Sequence, residues 1–160
     1  MKKLSILLIL LIAHSAQAGQ LDEDEVVWVE GEDPVMIEAI QNARRTLDSF
    51  LQKHSDNIPN VESYKLKVMV SDSNGTEHFW VTPFRAIVNG KFEGVLANEP
   101  QVVRSVSYGQ VIEFDRSMIS DWGYVENGRQ IGSFTICALF KSMPKEQVEY
   151  YKENHGFVCE

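Results

Sequence analysis

Three Asn-Gly pairs, Asn74-Gly75, Asn89-Gly90 and Asn127-Gly128, each lie between runs that alternate or favour β-branched and aromatic side chains. An Asn-Gly pair takes up the positive φ angles that a two-residue hairpin turn demands. Strands joined by so short a turn must run antiparallel, because a parallel crossover needs a dozen or more residues. Tyr64, Leu66, Val68 and Val70 alternate with Lys65, Lys67 and Met69, the period of a half-buried strand. Further strands are expected at His78–Val88, Lys91–Ala97, Gln110–Asp115, Ile119–Val125 and Phe134–Phe140. Pro83 falls inside the second of these and marks an edge or a bulge.

Helical patterning flanks the strands. Asp33-Pro34 has the form of a helix start, with Asp as cap and Pro in the first position. Ile37, Ile40, Leu47 and Leu51 then recur at helical spacing, with Ala43 or Arg44 in register and Phe50 widening the stripe, over Pro34 to Lys53. A closing helix is expected to reach about Asn154, with Ser142 as its N-cap, Pro144 in its first turn and Gly156 as its C-terminal cap. The predicted class is α+β: a bent antiparallel sheet or small SH3-like barrel of five to six strands, with an N-terminal amphipathic helix and a C-terminal helix.

Before the first helix the pattern is that of export. Lys2 and Lys3 precede an apolar run from Leu4 to Ala13, and Ala16-Gln17-Ala18 offers small residues at a cleavage site. A run of about ten residues suits a signal peptide and is too short to span a bilayer. The expected division is therefore a signal peptide over 1–18, an acidic lead-in over 19–33 and one domain over 34–160. The destination is the periplasm or beyond, with no stable membrane anchor after cleavage. Cleavage leaves 13 basic against 23 acidic residues, a formal charge of −10. That disfavours nucleic acid as a partner and favours a basic envelope or secreted protein. Seven of the acids lie between Asp22 and Asp33. Cys137 and Cys159 are the two cysteines, and in an oxidising compartment they are expected to pair and staple the C-terminal tail.

Four short stretches carry a family resemblance. Glu77-His78-Phe79-Trp80-Val81, Phe92 to Pro100, Ile119-Ser120-Asp121-Trp122 and Gly132 to Ile136 occur in this order. The chain resembles the YegJ-like family, a bacterial domain of unknown function, over residues 64–157. The family pattern often has a basic residue where Cys137 stands, so a Cys137–Cys159 staple would be particular to this lineage. The resemblance implies domain limits and no reaction.

The chemistry-bearing residues divide poorly into catalytic sets. No two histidines have metal-ligand spacing, no Gly-x-Ser-x-Gly is present, and glycines stand singly at turns, so no metal, cofactor or phosphate cradle is expected. Asp121-Trp122 is read two ways: as a ligand site, or as a folding device in which Trp122 packs and Asp121 accepts backbone N–H groups. Trp80, Asn98, Glu99, Asp121 and Trp122 form the candidate binding set. Glu93, Glu99, Glu113, Asp115 and Asp121 are the carboxylates from which an acid–base pair would have to come. The first expectation is a non-enzymatic protein-interaction or inhibitor/immunity-type module. A small-ligand or peptidoglycan-fragment binding module is the alternative, and a carboxylate-based hydrolase ranks third.

Overall fold

The computed structural model describes residues 33–159. The signal segment and most of the acidic lead-in, residues 1–32, lie outside the described residues. Helix α1 (Pro34–Ser55) opens where the Asp-Pro pair directs it, the Asp33 carboxylate accepting the Val35 N–H at 2.8 Å. Its buried stripe is Ala39, Ala43, Leu47 and Phe50. Ala43, Leu47 and Phe50 belong to the expected stripe; Ala39 joins them, and Ile37 is left 42% exposed. The two alanines present a low surface to the layer beneath, so that face can approach it more closely than the isoleucine face.

Six strands follow: β1 (Val61–Asp72), β2 (Gly75–Ala86), β3 (Lys91–Leu96), β4 (Val111–Asp115), β5 (Ile119–Glu126) and β6 (Arg129–Gly132). They form one antiparallel sheet in the order β4-β3-β2-β1-β5-β6. The end strands β4 and β6 do not pair with each other, so of the two expected arrangements the open sheet is the one observed. Asn89 and Gly90 both have positive φ, as do Asn127 and Gly128, as tight hairpins require. In the first hairpin Asp72 pairs with Gly75, which places Ser73 and Asn74 in the turn itself. Strand β2 is interior, and Pro83 sits where its register with β3 shifts between Val81 and Phe84. Of the two roles expected for Pro83, the bulge holds.

Alternation along the strands separates two faces. Leu66, Val68, Val81, Phe84, Phe92, Phe114, Ile119, Trp122 and Tyr124 pack beneath Ala43, Leu47 and Phe50 of α1. Farther along, Val70, Phe79, Leu96 and Val103 make a second cluster under the connection between β3 and β4. Glu77 and Asp72 tie that connection down. Glu77 accepts the N–H groups of Gln101, Val102 and Val103, and Asp72 those of Arg104 and Ser105.

The strand expected at Phe134–Phe140 is instead helix α2, over the same residues, and the last strand is Arg129–Gly132. Gly132 and Ser133, with φ of 84° and 51°, turn the chain out of the sheet. A side chain at Gly132 would overlap the carbonyl and ring of Trp122. Helix α3 (Lys145–His155) ends at Gly156 with φ of 70°, as expected of its cap. Ser142 does not cap it; its hydroxyl donates to the Leu139 carbonyl, and Pro144 takes the cap position. Cys137 and Cys159 are disulfide-bonded with their Cα atoms 5.4 Å apart, and the tail also pairs with Gln130 through Phe157. No helix among the described residues is long and apolar enough to cross a membrane.

Candidate functional site

A single row of side chains crosses the sheet face opposite α1. Lys67 of β1 pairs in register with Asp121 of β5 on one side and with Trp80 of β2 on the other. The ammonium groups of Lys65 and Lys67 lie 4.6 and 5.3 Å from the Trp80 ring centroid. Asn98 joins the row from the far side, its carbonyl oxygen accepting the Trp80 N–H at 2.8 Å.

Asp121 is fully buried. One carboxylate oxygen accepts the N–H groups of Trp122 (2.8 Å) and Phe134 (3.1 Å). The other accepts the Thr135 N–H (2.7 Å) and hydroxyl (2.6 Å). Lys67 Nζ then donates to the Thr135 hydroxyl oxygen at 3.2 Å. Burial pushes the Asp121 carboxyl above its ordinary range, against the pull of Thr135 and Lys67. It pushes Lys67 below its ordinary value, against the pull of Asp121. Chemically, Asp121 is the cap that starts α2. Ser133, the residue at the cap position, has a left-handed backbone and makes no capping bond. A carboxylate from β5 supplies the acceptors instead.

Beside this row His78 Nδ1 meets Ser120 Oγ at 2.8 Å, and Ser120 donates to the Lys67 carbonyl. With the serine proton so committed, Nδ1–H of the imidazole is the donor between the two. Burial of the ring nitrogen, with Lys67 and Arg44 nearby, lowers the His78 pKa to about 4. Ser120 is completely enclosed, and a nucleophile there would have no access to a substrate.

The structure thus assembles Trp80, Asn98 and Asp121 and separates the other two members of the candidate set. Trp122 follows Asp121 and so points to the opposite face. Its indole N–H donates to the Ala43 carbonyl at 2.9 Å, and its ring stacks on Phe50 at 4.9 Å. Glu99 is exposed and makes none of these contacts. Lys67, absent from the candidate set, is the centre of the row. Among the other acids, Glu93 and Glu113 lie opposite each other on β3 and β4, but Glu93 is held by Arg85 at 2.7 Å. Asp115 lies opposite Lys91. No group of three metal-ligating side chains occurs among the described residues.

A groove lies elsewhere. It measures about 430 Å³ and runs between the first half of α1, helix α2 and the C-terminal tail. Val35, Ala39, Trp122, Ile131, Phe134, Cys137, Ala138 and Val158 line it together with Glu38, Asn42 and Lys141, and its surface is about as polar as it is apolar. Nothing in the sequence pattern alone indicates it, because one wall is the helix that the residues of α2 disguise as a strand.

The family model described as "Uncharacterized protein conserved in bacteria (DUF2314)" matches residues 33–158. The chain is 33% identical over 149 residues to "Uncharacterized protein YegJ" of Escherichia coli K12, covering 93% of this chain and 95% of that one. It is 28% identical over 136 residues to "Putative ankyrin repeat protein" of Neisseria meningitidis serogroup B, covering 79% of this chain and 53% of that protein. No solved structure matches.

Proposed function

Since the chain belongs to the bacterial family DUF2314 over residues 33–158, we propose that it is an exported, non-enzymatic interaction module that engages a basic protein partner in the envelope or outside the cell. The observation that carries this reading is the disposal of Asp121. Its two oxygens are filled by four donors from Trp122, Phe134 and Thr135, so the most enclosed acid of the sheet holds no free position for a proton-transfer role. Glu77 is likewise engaged by three backbone N–H groups. The groups that suggested chemistry hold loops and a helix in place, and the groove is left open. The signal pattern supports export, and so does the disulfide, which is a bond of oxidising compartments. The acidic charge supports steering of a basic partner.

A photo-crosslinker placed at Ala138 in the groove, with a second at Tyr150 as an outlying control, tests the reading in an envelope fraction. The expected outcome is one basic protein captured from Ala138 and not from Tyr150, and binding the purified chain more tightly at low salt than at high salt. Absence of any partner common to repeated captures, at either salt level, would defeat it. The groove's size also suits a small ligand. That second reading predicts thermal stabilisation by peptidoglycan fragments with no protein captured.

A further inference from the structure

We propose that the outer edge of β4 takes up an extended segment of a partner protein as an added antiparallel strand, with a Lys or Arg of that segment opposite Glu113. The inference goes beyond the groove reading and concerns the other end of the sheet, since the strand order puts β4 and β6 at its two ends. The β6 end is covered in part. Gln130 N–H donates to the Gly156 carbonyl at 2.9 Å, and Val158 N–H donates to the Gln130 carbonyl at 3.1 Å, so the stapled tail takes up the outward groups of Gln130. At the other end, among the described residues, β4 pairs with β3 and with no other strand.

The ladder fixes which groups are left over. Leu96 N–H donates to the Gln110 carbonyl at 2.9 Å, which marks that pair as a bonded one. Bonded and non-bonded pairs alternate in an antiparallel ladder. Ile112 and Phe114 therefore bond to β3, opposite Gly94 and Phe92, while Val111, Glu113 and Asp115 turn their N–H and C=O groups outward. All three side chains are exposed, Val111 by 59%. Such an edge is a template for strand addition, in which main-chain bonds give affinity and alternate side chains give selectivity.

Charge on the neighbouring strands selects the occupant. Arg85, Glu93 and Glu113 stand side by side across β2, β3 and β4. Like charges directly opposite each other destabilise a sheet. Arg85 relieves one of the two, reaching Glu93 at 2.7 Å, while Glu113 has no ion pair among the described residues. Arg116, the next base along the chain, is held by Asp48 at 2.8 Å. A Lys or Arg on the far side of Glu113 completes the row with a cation at each end. Along the same face Asp115 already lies opposite Lys91, and Val111 lies opposite Val95, so an apolar residue suits the position facing Val111. A second copy of this chain fits poorly. An antiparallel β4–β4 pair centred on Glu113 would set that carboxylate against itself, which is how charged edges guard against self-pairing.

Backbone amide shifts of the purified chain, followed on titration with the blocked peptide Thr-Lys-Thr-Lys-Thr-Val-Thr, test this. The second Lys is placed to meet Glu113 and the Val to meet Val111. Saturable shifts are expected at Val111, Glu113 and Asp115. An analogue methylated on the amide nitrogen of the second Lys keeps the charge and loses a ladder bond, and should bind more weakly by about tenfold or more. An analogue with Glu in place of both Lys residues should also lose about tenfold. Glu113→Lys, on an exposed position outside the core, should weaken the Lys peptide by about two- to fivefold and strengthen the Glu analogue by a similar factor. No saturable shift with the Lys peptide, or shifts away from β4, would overturn the edge as the site. Equal binding of the methylated analogue would overturn strand addition. Indifference to Glu113→Lys would overturn the basic segment as the occupant, and a dimer of the chain alone with its β4 amides protected would put a second copy in its place. None of these results touches the groove, whose reading falls separately, with the failure of the crosslinking experiment.

Discussion

The Asp121 row and the α1–α2 groove share helix α2 and differ in nearly every other respect. In the row, donors and acceptors are matched inside the protein: four bonds on Asp121, Thr135 between Asp121 and Lys67, and Trp80 under two ammonium groups. The groove is open, mixes apolar and polar groups in like measure, and is bounded by two alanines where the chain could have closed it. Buried polar groups cost free energy unless they are satisfied, so a saturated cluster is one whose capacity the fold has already used. An open cleft has capacity left. The contrast teaches that residue type is a poor guide to the site here. The conspicuous acids organise the molecule, and the plain aliphatic residues leave the opening.

Breaking the row should do the most damage. Asp121→Ala would leave the Trp122, Phe134 and Thr135 N–H groups without their acceptor and the Lys67 ammonium without its neighbouring opposite charge, and a loss of about 3–5 kcal/mol is expected. Thr135→Val, which removes a hydroxyl and keeps the shape, should cost less, about 1–3 kcal/mol. Denaturant unfolding of both variants checks the order. Next in size is the clasp. Cys159→Ser should lower stability by about 2–4 kcal/mol, and reduction of the wild-type disulfide by a similar amount.

A smaller effect separates the regions by pH. In the folded chain His78 has a pKa of about 4, below its ordinary 6.5, so the folded state prefers the neutral ring. Its contribution is fully present above pH 6.5 and is lost as pH falls from there toward about 4. His54, also lowered by burial, acts in the same direction. Asp72 acts at lower pH. The N–H groups of Arg104 and Asn74 hold its pKa at about 2, and that contribution disappears between about 4 and about 2 as the carboxylate protonates. The denaturant midpoint should therefore fall from neutral pH toward pH 5. His78→Gln should flatten part of that slope, modestly, because His78 as a whole residue is exposed.

Much of the architecture was legible because it is locally encoded. The Asp33-Pro34 helix start, the Asn89-Gly90 and Asn127-Gly128 turns and the Gly156 cap depend on residues adjacent in sequence, and each is where the pattern puts it, whereas the first hairpin turns one residue early, at Ser73-Asn74. Helix α2 was not legible. Phe134-Thr135-Ile136 has the look of a strand, and what makes it helical is a carboxylate 13 and 14 positions earlier, delivered by β5. The same holds for the site. Trp80 and Asp121 stand in one row because both pair with Lys67, a register that includes bulges and so cannot be counted along the chain. Lys67 itself reads as the solvent face of an alternating strand, and Trp122 separates from Asp121 for the simple reason that neighbours in a strand face opposite ways. The folding-device reading of Asp121 describes what its oxygens do. The groove was hidden because one of its walls, α2, carried the signature of a strand.

The most direct test of the Asp121 row as the device that starts α2 is a comparison of backbone amide hydrogen exchange between the wild type and Asp121→Ala. The account predicts much faster exchange at Trp122, Phe134 and Thr135 in the variant, with smaller changes at the amides of β3 and β4, because the Asp121 carboxylate accepts those three N–H groups. Unchanged exchange at all three would contradict it.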